Sequence, residues 1–211
     1  MDALDQILWK DLTHAYGSAA DVPHLLRWLR TASSDLKGEG HPLWHLFGNI
    51  WHQGTVYEAT SYAVPFLIEL AVDRHTPDRV GVLSLLAEIA NGTSYSDVHG
   101  NLRKDPDFER KRNRELAWVR QAHDAVAAGF AQFLDLTNES GDVACAAAHV
   151  LALGRLVEGR HFGVYGSGVP GAIGGCLFRL CSNSTTTFMA GPAFQEFRSA
   201  VTGNSSFGSM M

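Results

Sequence analysis

Apolar and polar positions along the chain recur mostly with helical spacing, and the clearest stretch runs from Trp44 to Leu70, WHLFGNIWHQGTVYEATSYAVPFLIEL. Leu43, Leu46, Phe47, Ile50 and Trp51 follow one another at helical intervals, which puts them on one side of a helix ending near Trp51. His52-Gln53-Gly54 supplies a turn. A second apolar helix then carries Tyr57, Ala63, Val64, Phe66, Leu67 and Leu70 inward, and Pro65, which has no N–H, is expected to kink or restart it. Neither helix can bury its apolar side alone, so the pattern predicts stacking against similar neighbours.

Such neighbours occur along the chain. Leu4, Ile7, Leu8, Leu12 and Ala15 predict a helix over 3–15 closed by Tyr16-Gly17. Asp21 as N-cap, Pro23 in the first turn, and Leu25, Leu26, Trp28 and Leu29 predict the next. The stretch 31–42, with Ser33-Ser34, Gly38, Gly40 and Pro42, reads as a loop. Further helices are predicted over 79–90, over 125–134, and from Asp142 to about Leu156, whose alanines permit close helix approach. Val22-Pro23 and Val64-Pro65 stand about 42 residues apart, within the period of HEAT and armadillo repeats. The expected fold is therefore all-α, a right-handed α-α superhelix (HEAT/armadillo-like solenoid) of about three to four helical pairs over residues 1–156.

Two segments depart from the pattern. The insert 91–114 begins turn-rich and polar (NGTSYSDVHGN) and continues dense in both signs of charge (LRKDPDFERKRNRE), a loop leading into an exposed helical start. An insertion in a repeat array often lies on its binding face. From 157 to 211 glycines recur, Ser182 to Thr187 is hydroxyl-rich, and helical periodicity is lost, so this irregular C-terminal segment is expected to be poorly ordered and not to continue the solenoid. Its many aromatic residues are unusual for a solvated linker, and a reading-frame shift or a fused fragment would produce such a break.

Charge and cysteine content narrow the function. With 22 acidic against 17 basic side chains, the formal charge of −5 argues against a dedicated nucleic-acid binder. No long apolar run and no signal-peptide pattern is present, so membrane association is not expected. Cys145, Cys176 and Cys181 form no CxxC, and the expected setting is reducing and cytoplasmic.

The string His52-Gln53-Gly54-Thr55-Val56-Tyr57-Glu58-Ala59-Thr60, followed by Ala63-Val64-Pro65-Phe66-Leu67, resembles bacterial HEAT-repeat (armadillo-like) proteins of an uncharacterised group, and the opening HAYGSAADVPHLLRWL is similar to the same group. The resemblance covers roughly residues 5–156. It implies an interaction scaffold, or a regulatory or immunity-type partner of another protein, rather than one established activity.

Candidate chemistry is sparse. His45 and His52 lie two helical turns apart on one predicted side, with Tyr57 and Glu58 beyond the turn, and His14, Asp97 and His99 could approach from neighbouring units. No HExxH pattern is present, so the histidines read as partners of turn backbone, and no metal or other cofactor is expected. Gly54 can take positive φ, while Thr55 and Glu58 match a capping box. That leaves His52, Gln53 and Tyr57 unexplained at the mouth of the solenoid. There is no GxSxG and no P-loop, and Cys145 among alanines reads as core. The arginines of the insert are interleaved with acids, which suggests a salt-bridged helix rather than a phosphate track. The expected function is non-catalytic protein binding, with Trp44, His52, Gln53, Tyr57, Tyr95, Arg110, Arg112 and Arg114 as contact candidates because Tyr, Trp and Arg dominate interface energetics. The partner would be another protein, with self-association through an uncapped array end as a further route. The competing expectation is a HEAT-like enzyme, a metal-assisted or DNA-directed hydrolase.

Overall fold

The computed structural model describes residues 2–99 and 105–161. Among them helices dominate, and the β structure consists of two short antiparallel ribbons, β1 (Thr13–His14) with β2 (Gly17–Ser18) and β3 (Trp51–His52) with β4 (Thr55–Val56). The longer helices are α1 (Val22–Leu29), α2 (Pro42–Asn49), α3 (Glu58–Val72), α4 (Arg79–Asn91), α6 (Phe108–Ala128), α7 (Phe130–Leu136) and α8 (Asp142–His161), with a single turn, α5 (Tyr95–Val98), ahead of α6.

Local chemistry starts these helices where they start. Pro42 occupies the first turn of α2, and the His41 Nδ1 accepts from the Leu43 N–H at 3.2 Å, doing the work of an N-cap oxygen. Asp78 caps α4 by accepting from the Gly81 N–H at 2.9 Å. Consecutive helices pack as pairs, α1 on α2 and α3 on α4, while alternate helices also touch, α1 with α3, α3 with α6, α2 with α4 and α4 with α8. One continuous apolar cluster runs through these contacts, with Leu26, Leu46, Leu67, Leu83, Leu86 and Phe133 buried in it. Each such side chain contributes about 1.5–3 kcal/mol of burial. Arg79, only 9% exposed, joins three parts of the stack. Its Nε donates to the Ala71 carbonyl at the end of α3 at 2.7 Å, and its two terminal nitrogens grip the Glu139 carboxylate ahead of α8 at 2.9 and 3.1 Å.

Several helical expectations need correction. Residues 3–15 form no helix but two 3-10 turns, Asp2–Gln6 and Trp9–Asp11, and then β1. Trp9 is buried and its indole N–H donates to the Leu4 carbonyl at 2.8 Å, while Leu8, which helical spacing pointed inward, is 67% exposed. α3 does not restart at Pro65 but runs on from Glu58 to Val72, with Pro65 exposed inside it. The helix predicted over 125–134 is divided at Gly129, where the chain passes so close to α3 that a Cβ would lie 2.6 Å from the Ile68 Cδ1. α8 runs on to His161, past the expected boundary at 156, and the remainder of the C-terminal segment lies outside the described residues.

Candidate functional site

The inter-helix connections gather on one edge of the helix stack. The second ribbon turns through Gln53 (φ 50°) and Gly54 (φ 88°), two successive positive φ values that define a type I′ hairpin turn. Gln53 is the one non-glycine residue with positive φ among the described residues. The first ribbon keeps Ala15 and Tyr16 at ordinary φ and places the positive angle, 119°, on Gly17. A third connection joins the second ribbon in extended form. Thr93 donates to the Gly54 carbonyl at 2.8 Å and accepts from the Val56 N–H at 3.1 Å, forming a parallel bridge with Thr55.

Side chains lock the ribbons together. The Glu58 carboxylate, at the first turn of α3, accepts from both the Thr13 N–H at 3.1 Å and the Thr13 hydroxyl at 2.9 Å. Asn49 donates its side-chain amide to Asp21 at 2.6 Å, and its backbone carbonyl accepts from the Ala15 N–H at 3.0 Å. His14 is buried below the first turn. Its Nδ1 accepts from the Tyr16 N–H at 3.0 Å, so its Nε2 carries the hydrogen that goes to Asp21, also at 3.0 Å.

Above this frame the edge is aromatic. Tyr16 is 70% exposed and meets the His52 ring edge-on, with centroids 5.5 Å apart. The Tyr16 hydroxyl lies 3.4 Å from the His52 Nδ1. Tyr95 stacks on His99 at 4.0 Å. Between the two pairs, the Tyr57 hydroxyl contacts the buried Thr55 Oγ1 at 2.8 Å. Burial pushes the Tyr57 phenol above its ordinary 10.0, against the Thr55 hydrogen bond, and the Tyr95, Tyr16 and Glu115 groups push in the same direction as burial. Tyr57 therefore stays protonated.

Of the residues singled out from sequence, the structure brings His52, Gln53, Tyr57 and Tyr95 to this edge. Arg112 borders it through its Nε, 2.6 Å from Asp97 of α5. Arg110 instead pairs with Asp107 at 2.8 Å, and the Arg114 guanidinium lies 5.3 Å over the Trp118 ring, so both are engaged along α6. Trp44 sits on the first turn of α2, about 10 Å of helix rise from the ribbon, and does not join the cluster.

Three local expectations are overturned. Thr55 and Glu58 make no capping box: the Thr55 hydroxyl donates to the His52 carbonyl, Glu58 reaches Thr13, and the Tyr57 N–H is met by the Thr60 Oγ1 at 2.8 Å. Asp21 makes no side-chain cap on α1, since His14 and Asn49 occupy its carboxylate. His45 and His52 share no helix side, because His52 is in β3 while His45 contacts the Glu39 carbonyl at 2.9 Å. Sequence reasoning missed Tyr16 and Asn49. The available signal was the repeated histidine-to-glycine turn ahead of each Val-Pro helix, His14 to Gly17 and His52 to Gly54.

Among the described residues no three His, Cys, Asp or Glu side chains converge as a group able to hold a metal ion, and no helix is long and apolar enough to cross a membrane. The edge offers hydrogen-bonding phenols, imidazoles and a carboxamide on a rigid backbone, a surface suited to contact. No family model matches the chain, and neither a curated protein sequence nor a solved structure matches it at a significant level.

Proposed function

We propose that the chain is a HEAT-like α-solenoid that acts as a non-catalytic protein-binding module in the cytoplasm, using the connector edge as its contact surface. The pairing of consecutive helices together with the contact of alternate helices supports the solenoid reading, because stacked repeats require both. The observation that carries the binding reading is Tyr16, largely exposed yet held edge-on to His52 by ribbons that Glu58 and Asp21 fasten from below. A large aromatic on a preorganised backbone loses little entropy on association, which is the property of an interface hot spot.

The test is affinity capture from a bacterial lysate with the full chain beside a Tyr16→Ala/His52→Ala variant. The reading expects a protein retained by the parent and lost by a variant whose thermal unfolding is unchanged. Equal capture by parent and variant would overturn it.

A further inference from the structure

The connector edge is net acidic. Residues 11–21, 49–58 and 92–99 carry the carboxylates of Asp11, Asp21, Glu58 and Asp97 and no lysine or arginine, with Lys10, whose carbonyl accepts from the Ser18 hydroxyl, as the one basic neighbour of the first ribbon in sequence. Among the described residues, only Asp97 of these four is met by a cationic Arg or Lys, Arg112. The nearby basic residues at the start of α6 are spent internally, Arg110 on Asp107, Lys111 on Asp105 and Arg114 on the Trp118 ring. An acidic partner would thus meet unbalanced carboxylates, and a nucleic acid would be repelled in the same way. The exposed faces point to the complementary ligand. Tyr16, 70% exposed, and Tyr95, 40% exposed with one face stacked on His99, offer π surface on the same edge as those carboxylates, the surroundings that favour a flat, weakly hydrated cation.

Resting on the binding function proposed above, we propose that the segment seated on this edge is a basic protein segment whose arginine guanidiniums lie against Tyr16 and Tyr95 in the field of Asp21 and Glu58. Arginine is preferred to lysine because the planar guanidinium stacks on a ring while still donating to a carboxylate. Tyr57, held protonated between the two aromatic pairs, adds no charge to the edge.

The test titrates the isotope-labelled full chain with three peptides of equal length, alternating Arg and Ser, the same with Gln for Arg, and the same with Glu for Arg. The Arg peptide is expected to shift the backbone amides of Tyr16, His52, Thr93 and Tyr95 and to bind about tenfold more tightly than the Gln peptide, with the Glu peptide weakest. Tyr16→Ala with Tyr95→Ala, both exposed and therefore tolerant of truncation, should remove most of that tenfold preference. Binding of the Gln or Glu peptide to the same amides as tightly as the Arg peptide would overturn the basic partner while leaving the edge as a contact surface. An Arg peptide that shifts only other amides, with affinity unaltered in the double variant, would overturn it too. Failure of the binding reading itself shows separately, as equal lysate capture by the Tyr16→Ala/His52→Ala chain.

Discussion

The two ribbons precede equivalent Val-Pro helices, yet they are held in place by different physics. The first is peripheral. Thr13, Gly17 and Ser18 are exposed, and the ribbon is fastened by side-chain polar bonds, Glu58 to Thr13 and Asp21 to His14 and Asn49. The second is embedded, with Thr55 and Val56 buried, β4 bonded to β3 on one side and to Thr93 on the other, and the Thr60 hydroxyl donating to the Ile50 carbonyl beneath it. The backbone angle also differs, since glycine takes the positive φ in the first ribbon while glutamine shares it in the second. Exposed polar bonds contribute little net stability because water competes for them, whereas buried ones are costly to leave unmade. The first ribbon is thus free to present Tyr16 to solvent, and the second is the more firmly held.

The largest break in this comparison should come from Thr60→Val. It keeps the side-chain shape but orphans the buried Ile50 carbonyl and the Tyr57 N–H, and the urea midpoint should report a loss of about 2–3 kcal/mol. Gly54→Ala comes next, at about 1–2 kcal/mol, because φ of 88° opposes a Cβ although the surrounding space is open. Asp21→Ala should cost about 1 kcal/mol, since its side chain is 47% exposed and water can replace it. Hydrogen exchange should speed at the Ala15 amide and leave Val56 unchanged. An Asp21→Ala loss exceeding that of Thr60→Val would reverse the ranking of the ribbons.

The smallest effect is also the most diagnostic of function. Gln53→Gly relieves a positive φ of 50° on a side chain and should stabilise the fold by about 0.5 kcal/mol, read as a small rise in melting temperature. If Gln53 contributes to partner contact, affinity falls while stability rises, the opposite sign to the other substitutions.

A pH series separates the ribbons from the helices. Burial pulls the His41 imidazole below its ordinary 6.5, opposed by Asp78 and reinforced by Lys37, and burial does the same to His149. Below pH 6.5 the unfolded chain binds protons that the folded chain declines at these sites, so their stabilisation is complete above 6.5 and is lost as pH falls. Glu88 acts with the other sign: burial pushes its carboxyl above 4.5, so stability decreases as pH rises from 4.5 through that raised value. Urea midpoints should fall between pH 6.5 and 5.5 in the parent, and His41→Asn, which retains a cap acceptor, should flatten that limb. Protection of the α2 amides should decay before that of Val56 and Thr93.

Long apolar periodicity was legible. The helix read over 79–90 is α4, Arg79–Asn91, and the helix before Trp51 ends at Asn49, because many core residues in each vote for the same face. The ribbons were not legible, since strands of two residues are too short to show a period. Thr55 and Glu58 have the spacing of a capping box, but Thr13, distant in sequence, offers Glu58 two donors at once and wins. At the edge, His52, Gln53 and Tyr57 could be found because turn chemistry left them unexplained, while Tyr16 read only as the end of a helix.

The sequence by itself determined the all-α class, the inward faces of most helices and the glycine turn at Gly54, since local propensity and periodicity act within a few residues. Only the tertiary structure decided that Tyr16 meets His52, that Asp21 serves His14 and Asn49 instead of capping α1, and that Ile68 leaves no room for a Cβ at position 129. Those outcomes depend on which groups come within hydrogen-bonding or van der Waals reach once the helices stack, a distance that no spacing along the chain encodes.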